Sequence, residues 1–77
     1  MKVYTVILNG ERVNDYIRGR ISGMAYVLTG MPERTYSWRK LENCNHWYMD
    51  IECTEVQYLA VVEVIENVYP GVILQEE

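Results

Sequence analysis

The sequence predicts an α+β domain in which a four-stranded antiparallel sheet carries two helices on one face. Four short segments are apolar throughout or alternate between apolar and polar residues, which indicates strands. In two longer segments apolar residues recur at spacings of three and four, which indicates helices. These segments follow the order strand, helix, strand, strand, helix, strand. The 77 residues, 49% of them hydrophobic, suit one domain over residues 1–77 with a small core.

The first predicted strand is followed by a helix. Residues 2–8 are apolar and β-branched almost without a break, which is typical of a central strand. Seven apolar residues then recur at helical spacing: Val13, Tyr16, Ile17, Ile21, Met24, Ala25 and Leu28. Asn9 or Asn14 caps this helix, and Gly30 ends it. The pair Asn9-Gly10 leaves an alternative open, a β-hairpin followed by a shorter helix from Ser22.

A hairpin is predicted next, from two alternating segments around the turn at residues 42–45. In the first segment, residues 35–41, Tyr36 and Trp38 share one side. The second segment, residues 46–53, has an apolar side and a polar side. The apolar side contains Trp47, Met49, Ile51 and Cys53, and the polar side contains His46, Tyr48, Asp50 and Glu52. The register between the strands decides which of these faces Tyr36 and Trp38 join.

The second helix begins with a capping-box pattern, Thr54 at the N-cap and Gln57 three residues later. Its predicted core-facing residues are Tyr58, Leu59, Val62, Ile65 and Tyr69, whereas Glu55, Glu63 and Glu66 face water. Pro70 and Gly71 end the helix, and residues 72–75 form the last strand.

This order of elements resembles the ferredoxin-like βαββαβ plait, with the sheet order 4-1-3-2 and both helices on one face. The resemblance rests on topology and covers the whole chain. It implies a fold and no particular function, because many unrelated functions use this fold.

The charges are divided unevenly along the chain. Residues 1–40 hold seven basic and three acidic side chains, and residues 41–77 hold eight acidic and no basic ones. In the predicted topology a basic edge gathers beside the second strand, formed by Arg12, Arg18, Arg20, Arg34, Arg39 and Lys40. This edge is either a solvated surface, a site for an acidic partner, or a site for a second copy's acidic edge.

The predicted partner-binding residues are Tyr36, Trp38, His46 and Tyr48 on the sheet, with Arg34, Arg39 and Lys40 at its edge. If Tyr36 and Trp38 join Tyr48 on the uncovered face, they form an aromatic patch suited to a sheet-to-sheet homodimer. The carboxylates of Asp50 and Glu52 would repel phosphate there, so nucleic acid is expected only at the basic edge, if at all.

Catalytic and metal chemistry is not predicted. Cys44 and His46 lack the second ligand cluster that a structural zinc site needs. His46 and Asp50 stand four residues apart on a strand, about 13 Å, too far to act as one catalytic unit. No apolar run reaches membrane-spanning length, no signal peptide is evident, and two cysteines are too few for a disulfide scaffold. A cytoplasmic protein with free thiols and no cofactor is therefore expected.

The predicted function is that of a small non-enzymatic regulatory module, expected to be a homodimer, that acts by binding a protein partner's surface. One alternative is a ligand-sensing regulatory domain whose dimer interface encloses an amino acid or a similar metabolite. The other is nucleic-acid binding through the basic edge.

Overall fold

The computed structural model describes residues 2–30, 36–40 and 43–74, with Tyr36 described by its backbone. It contains five elements: β1 (Lys2–Asn9), α1 (Asp15–Thr29), β2 (Tyr36–Lys40), β3 (His46–Cys53) and α2 (Glu55–Val68). The α+β class predicted from the sequence is confirmed.

The sheet has three antiparallel strands in the order β1-β3-β2. Met49 of β3 pairs with Val6 on one side and with Trp38 on the other, which fixes the register of the whole sheet. Because paired residues share a face, these three side chains belong to the same side.

The predicted fourth strand is not confirmed. After α2, the described residues 72–74 form one isolated antiparallel bridge, Ile73 opposite Leu8. The Asn9 N–H donates to the Val72 carbonyl over 2.8 Å, and the Leu74 N–H donates to the Ile7 carbonyl over 2.9 Å. Two hydrogen bonds around one bridge do not make a strand, and the rest of the predicted segment lies outside the described residues.

The β1–α1 connection is a turn and not the start of a hairpin. Asn14 caps α1, because its Oδ1 accepts from the Ile17 N–H over 2.8 Å. The side chain of Asn9 instead accepts from the Glu11 N–H. The hairpin alternative at Asn9-Gly10 is therefore wrong, and the longer helix is confirmed.

The remaining helix ends follow the sequence signals. Gly30 ends α1 in the left-handed region, with φ of 63°, and its N–H donates to the Tyr26 carbonyl. The capping box of α2 is complete, because the side chains of Thr54 and Gln57 each accept from the other's backbone N–H.

Both helices pack on one face of the sheet. The Trp38 indole N–H donates to Ser22 Oγ of α1 over 2.8 Å. The ring of Tyr58 in α2 stacks on Tyr4 of β1, with 4.5 Å between ring centroids. Helix α1 therefore lies over β2, and α2 lies over β1.

The core lies between this face and the helices. Its fully buried members are Val6, Leu8, Ile21, Ala25, Met49, Ile51, Cys53, Val61 and Ile65. The prediction for Leu59 is wrong, because this side chain is 55% exposed. Val61, which was not predicted, is buried in its place. Two residues along a helix turn the side chain by about 200°, so Leu59 and Val61 lie on opposite faces.

Candidate interaction surfaces

The face of the sheet opposite the helices is not covered by any described element, and is called the open face below. The register assigns ten residues to it: Val3, Thr5, Ile7, Asn9, Ser37, Arg39, His46, Tyr48, Asp50 and Glu52. Three of the predicted site residues, Arg39, His46 and Tyr48, are therefore brought together here.

Asp50 organises the centre of the open face. Its Oδ1 accepts a hydrogen bond from Thr5 Oγ1 over 2.6 Å, and its Oδ2 accepts from Arg39 Nε over 2.8 Å. Thr5 and Asp50 are direct partners in the ladder, so a cross-strand hydrogen bond is the expected geometry. The carboxylate thereby links all three strands.

Tyr48 lies beside this network under the side chain of Arg39. The Arg39 guanidinium carbon is 4.9 Å from the centroid of the Tyr48 ring, within the range of a cation–π contact. Arg39 is also the ladder partner of Tyr48, and Ile7 is its partner on the other side. Cys44 Sγ lies 4.0 Å from the Tyr48 hydroxyl. Tyr48 is thus held between neighbours on a paired strand.

The Arg39 hydrogen bond, assisted by Thr5, lowers the pKa of Asp50 below its ordinary value. A lowered folded-state pKa adds stability above the unfolded-state pKa, near 3.9, and this stability is lost as the pH falls through the folded value. The Arg39 side chain is 52% exposed, so solvent screening limits the contribution of Asp50 to at most about 1 kcal/mol.

We expect Asp50→Asn to remove this pH-dependent stability. In urea titrations, the free energy of unfolding of wild type should exceed that of the variant by up to about 1 kcal/mol near neutral pH, and the difference should disappear as the pH falls through the lowered folded-state pKa of Asp50. A difference that stays constant from neutral to acid pH would contradict the assigned ion pair.

His46 lies at one end of the open face, opposite Asn9 in the register. Its Nδ1 is shielded from solvent and has no hydrogen-bond partner among the described residues. The ring is partly buried. His46 therefore borders the Tyr48 cluster and adds no observed polar contact to it.

The expected aromatic patch is not formed by Trp38 and Tyr48. Trp38 pairs with Met49 and bonds to Ser22, so its side chain lies on the helix-covered face. Tyr36 pairs with Ile51 in the ladder. The sequence left the register between β2 and β3 open. The observed register places Trp38 and Tyr48 on opposite faces of the sheet.

A second cluster surrounds Trp47 on the helix-covered face. The Arg18 guanidinium carbon is 4.0 Å from the centroid of the Trp47 ring, and Lys40 Nζ is 5.2 Å from it. Trp38 meets the same ring edge-on, with 6.3 Å between centroids. The sequence assigned Trp47 to the core, and its cationic neighbours became visible only once the register and the position of α1 were known.

The predicted basic edge is smaller in the structure. Arg12 lies beside the turn that follows α2, because a Cβ built on Gly71 would stand 3.3 Å from Arg12 Nη1. Arg20 lines a groove with Val64 of α2. Near β2 remain Arg18, Arg39 and Lys40. Arg34 lies outside the described residues.

The apolar part of the surface lies on the helices. Of the seven large apolar side chains exposed in the described residues, six belong to α1 or α2: Tyr16, Tyr26, Val27, Val56, Leu59 and Val68. A groove of about 470 Å³ between the helices is lined by Arg20, Gly23, Met24, Val27, Leu28 and Val64. The sequence analysis did not predict this surface: it placed Leu59 in the core and made no prediction for Tyr26, Val27, Val56 or Val68.

A larger groove, of about 590 Å³, lies between β1 and α2. Its lining includes Thr5, Ile7, Tyr58, Val62 and Glu66. The lining mixes polar and apolar groups and contains one carboxylate. This groove is where the ligand-sensing alternative would be tested.

No cluster of metal-binding character is found among the described residues. Cys44 and Cys53 are both free thiols, and burial raises the pKa of Cys53. None of the described helices has the length and apolarity that a membrane crossing requires.

Comparison with known proteins gives no relative from which a role can be transferred. No family model matches the chain, and no curated protein or solved structure is significantly similar to it.

Proposed function

We propose that the chain is a small, non-enzymatic regulatory module that binds a protein partner through the open face. The observation that carries this proposal is the Arg39 side chain lying across Tyr48 and held there by Asp50. His46 borders the cluster, and Val3 adds an apolar side chain that is 64% exposed.

Tyrosine and arginine are the residue types that most often dominate binding energy at protein interfaces. Here the two are ordered before any partner arrives, because the Arg39 guanidinium donates to Asp50, which Thr5 in turn holds by a hydrogen bond. Ordering side chains in advance reduces the entropy lost on association. The cluster also stands on strands, which hold side chains more rigidly than loops do.

The charges on the open face favour a protein over a nucleic acid. Asp50 and Glu52 belong to it, and Arg39, the one arginine that the register assigns to this face, is already paired with Asp50. Phosphate backbones need unpaired cations, and their binding energy comes mainly from such contacts. The proposal therefore assigns no role to nucleic acid.

We also propose the ferredoxin-like plait as the fold and the cytoplasm as the compartment. The Ile73 bridge lies on the outer edge of β1, where the order 4-1-3-2 requires a fourth strand. The free thiols of Cys44 and Cys53 support a reducing compartment.

The binding surface is tested by comparing variants in affinity capture from the cells that produce the protein. Tyr48→Ala and Arg39→Glu should each reduce recovery of the partner at least about tenfold, because each removes one half of the stacked pair. Val56→Ser is the matched control, since Val56 is 78% exposed on α2.

Circular dichroism spectra should be the same for all four proteins. A partner recovered equally by wild type, Tyr48→Ala and Arg39→Glu would show that binding occurs elsewhere, and the proposal would then be wrong.

A further inference from the structure

We infer that the outer surface of the helices binds a second copy of this chain, with α1 of one protomer lying against α2 of its partner. This surface lies on the opposite side of the molecule from the open face. It shares no residue with the proposed partner site, so either inference can fail without the other.

The first observation is uncovered apolar area. Val27 on α1 and Val56 on α2 are each 78% exposed, and Leu59 is 55% exposed. The groove of about 470 Å³ between the helices is lined by the mainly apolar residues Gly23, Met24, Val27, Leu28 and Val64, together with Arg20. Exposed apolar side chains on both helices of a small domain are candidates for an interface.

The second observation is the space above α1. A Cβ built on Gly19 or on Gly23 meets nothing within 4 Å in the part of the chain that the structure describes. Gly19 and Gly23 stand one turn apart on α1, and no described part of the same chain fills the space beside them. A partner's helix can approach α1 here without meeting a side chain.

The third observation concerns the charged side chains on this surface, which favour a second copy as the binding partner. Arg20 donates to the Tyr16 hydroxyl over 3.2 Å and forms no ion pair among the described residues. On α2, Glu63 is exposed and likewise has no described ion-pair partner. The same surface therefore holds, within the described chain, an unpaired cation on one helix and an unpaired carboxylate on the other.

A dimer with two-fold symmetry can pair both Arg20 and Glu63 at the same time. In a symmetric dimer each surface meets its own copy, so Arg20 of each protomer faces Glu63 of its partner. Three acidic and no basic residues lie on α2, whereas α1 is net basic, so α1 against α2 is the favoured pairing.

The available area fits a dimer. The molecule measures 30 × 27 × 24 Å, so the roughly 800 Å² per partner that stable interfaces bury would occupy most of one side. A second copy therefore accounts for the apolar area, the open glycine positions and the charges together.

Molar mass by light scattering, from about 1 µM to about 1 mM protein, tests this interface. We expect wild type to reach the dimer mass within this range and Val27→Glu to remain monomeric. Val3→Glu is the matched control, because it places the same charge on the open face. Tyr48→Ala should also keep the dimer mass.

Charge exchange makes the test independent of folding defects. Arg20→Glu and Glu63→Arg should each raise the dimer Kd at least about tenfold, and the double variant should restore it to within about threefold of wild type. The inference is overturned by a wild type that stays monomeric, by single variants that dimerise normally, by a double variant that does not recover, or by loss of the dimer in Tyr48→Ala.

Discussion

Replacement of Leu8 with alanine is expected to lower the free energy of unfolding by about 3 kcal/mol. Leu8 is completely buried on β1, between Trp47 in the ladder and the Ile73 bridge. The substitution removes buried methyl groups and leaves a cavity that a close-packed core fills only in part. For a domain of this size, such a loss is a large fraction of the total stability.

Leu59→Ala is the matched control, because it deletes the same atoms from a side chain that is 55% exposed. Its expected cost is below about 0.5 kcal/mol. Urea denaturation of both variants at neutral pH, at a protein concentration low enough to keep the chain monomeric, measures the difference. Equal losses would mean that α2 is rotated relative to the orientation described, with Leu59 facing the core.

The second large effect is expected at Gly10. A Cβ at this position would stand 2.2 Å from the Asn45 carbonyl oxygen, and the Gly10 N–H donates to that oxygen over 2.8 Å. Gly10→Ala must therefore separate the β1–α1 turn from the turn before β3 and break this hydrogen bond. We expect a loss of about 3 kcal/mol in the free energy of unfolding.

Gly19→Ala makes the same chemical change as Gly10→Ala but is expected to have the opposite effect on stability. Its added methyl group meets nothing within 4 Å, and alanine in a helix is favoured over glycine by about 1 kcal/mol. At a protein concentration low enough to keep the chain monomeric, thermal unfolding should therefore show a lower midpoint for Gly10→Ala and a higher one for Gly19→Ala. Two variants that shift in the same direction would contradict the contact at Gly10.

Features decided by neighbouring residues were predictable from the sequence. The capping box at Thr54 and Gln57 and the helix end at Gly30 depend on groups within one turn, so the local pattern determines them. The two faces of β3 were also correct, because alternation along a strand needs no knowledge of its partners.

Features decided by distant residues were not predictable. A shift of one residue between β2 and β3 would move Trp38 to the other face, and nothing within either strand selects the register. The apolar stripes of both helices are wider than the faces that the sheet covers, so the orientation of Leu59 depends on how α2 rotates over β1. The open face was therefore predicted in part: Tyr48 and His46 were placed on it, whereas Arg39 was expected at the edge and Asp50 was not expected at its centre.

Site-specific photo-crosslinking tests the central claim, that the open face binds a protein partner, most directly. A photoreactive phenylalanine replaces Tyr48 in one protein and Tyr26, which is 50% exposed on α1, in another. On irradiation in the producing cells, position 48 should yield a covalent adduct with a different protein, and position 26 should not yield that adduct. The same heterologous adduct from position 26 alone, or no such adduct from position 48, would contradict the claim.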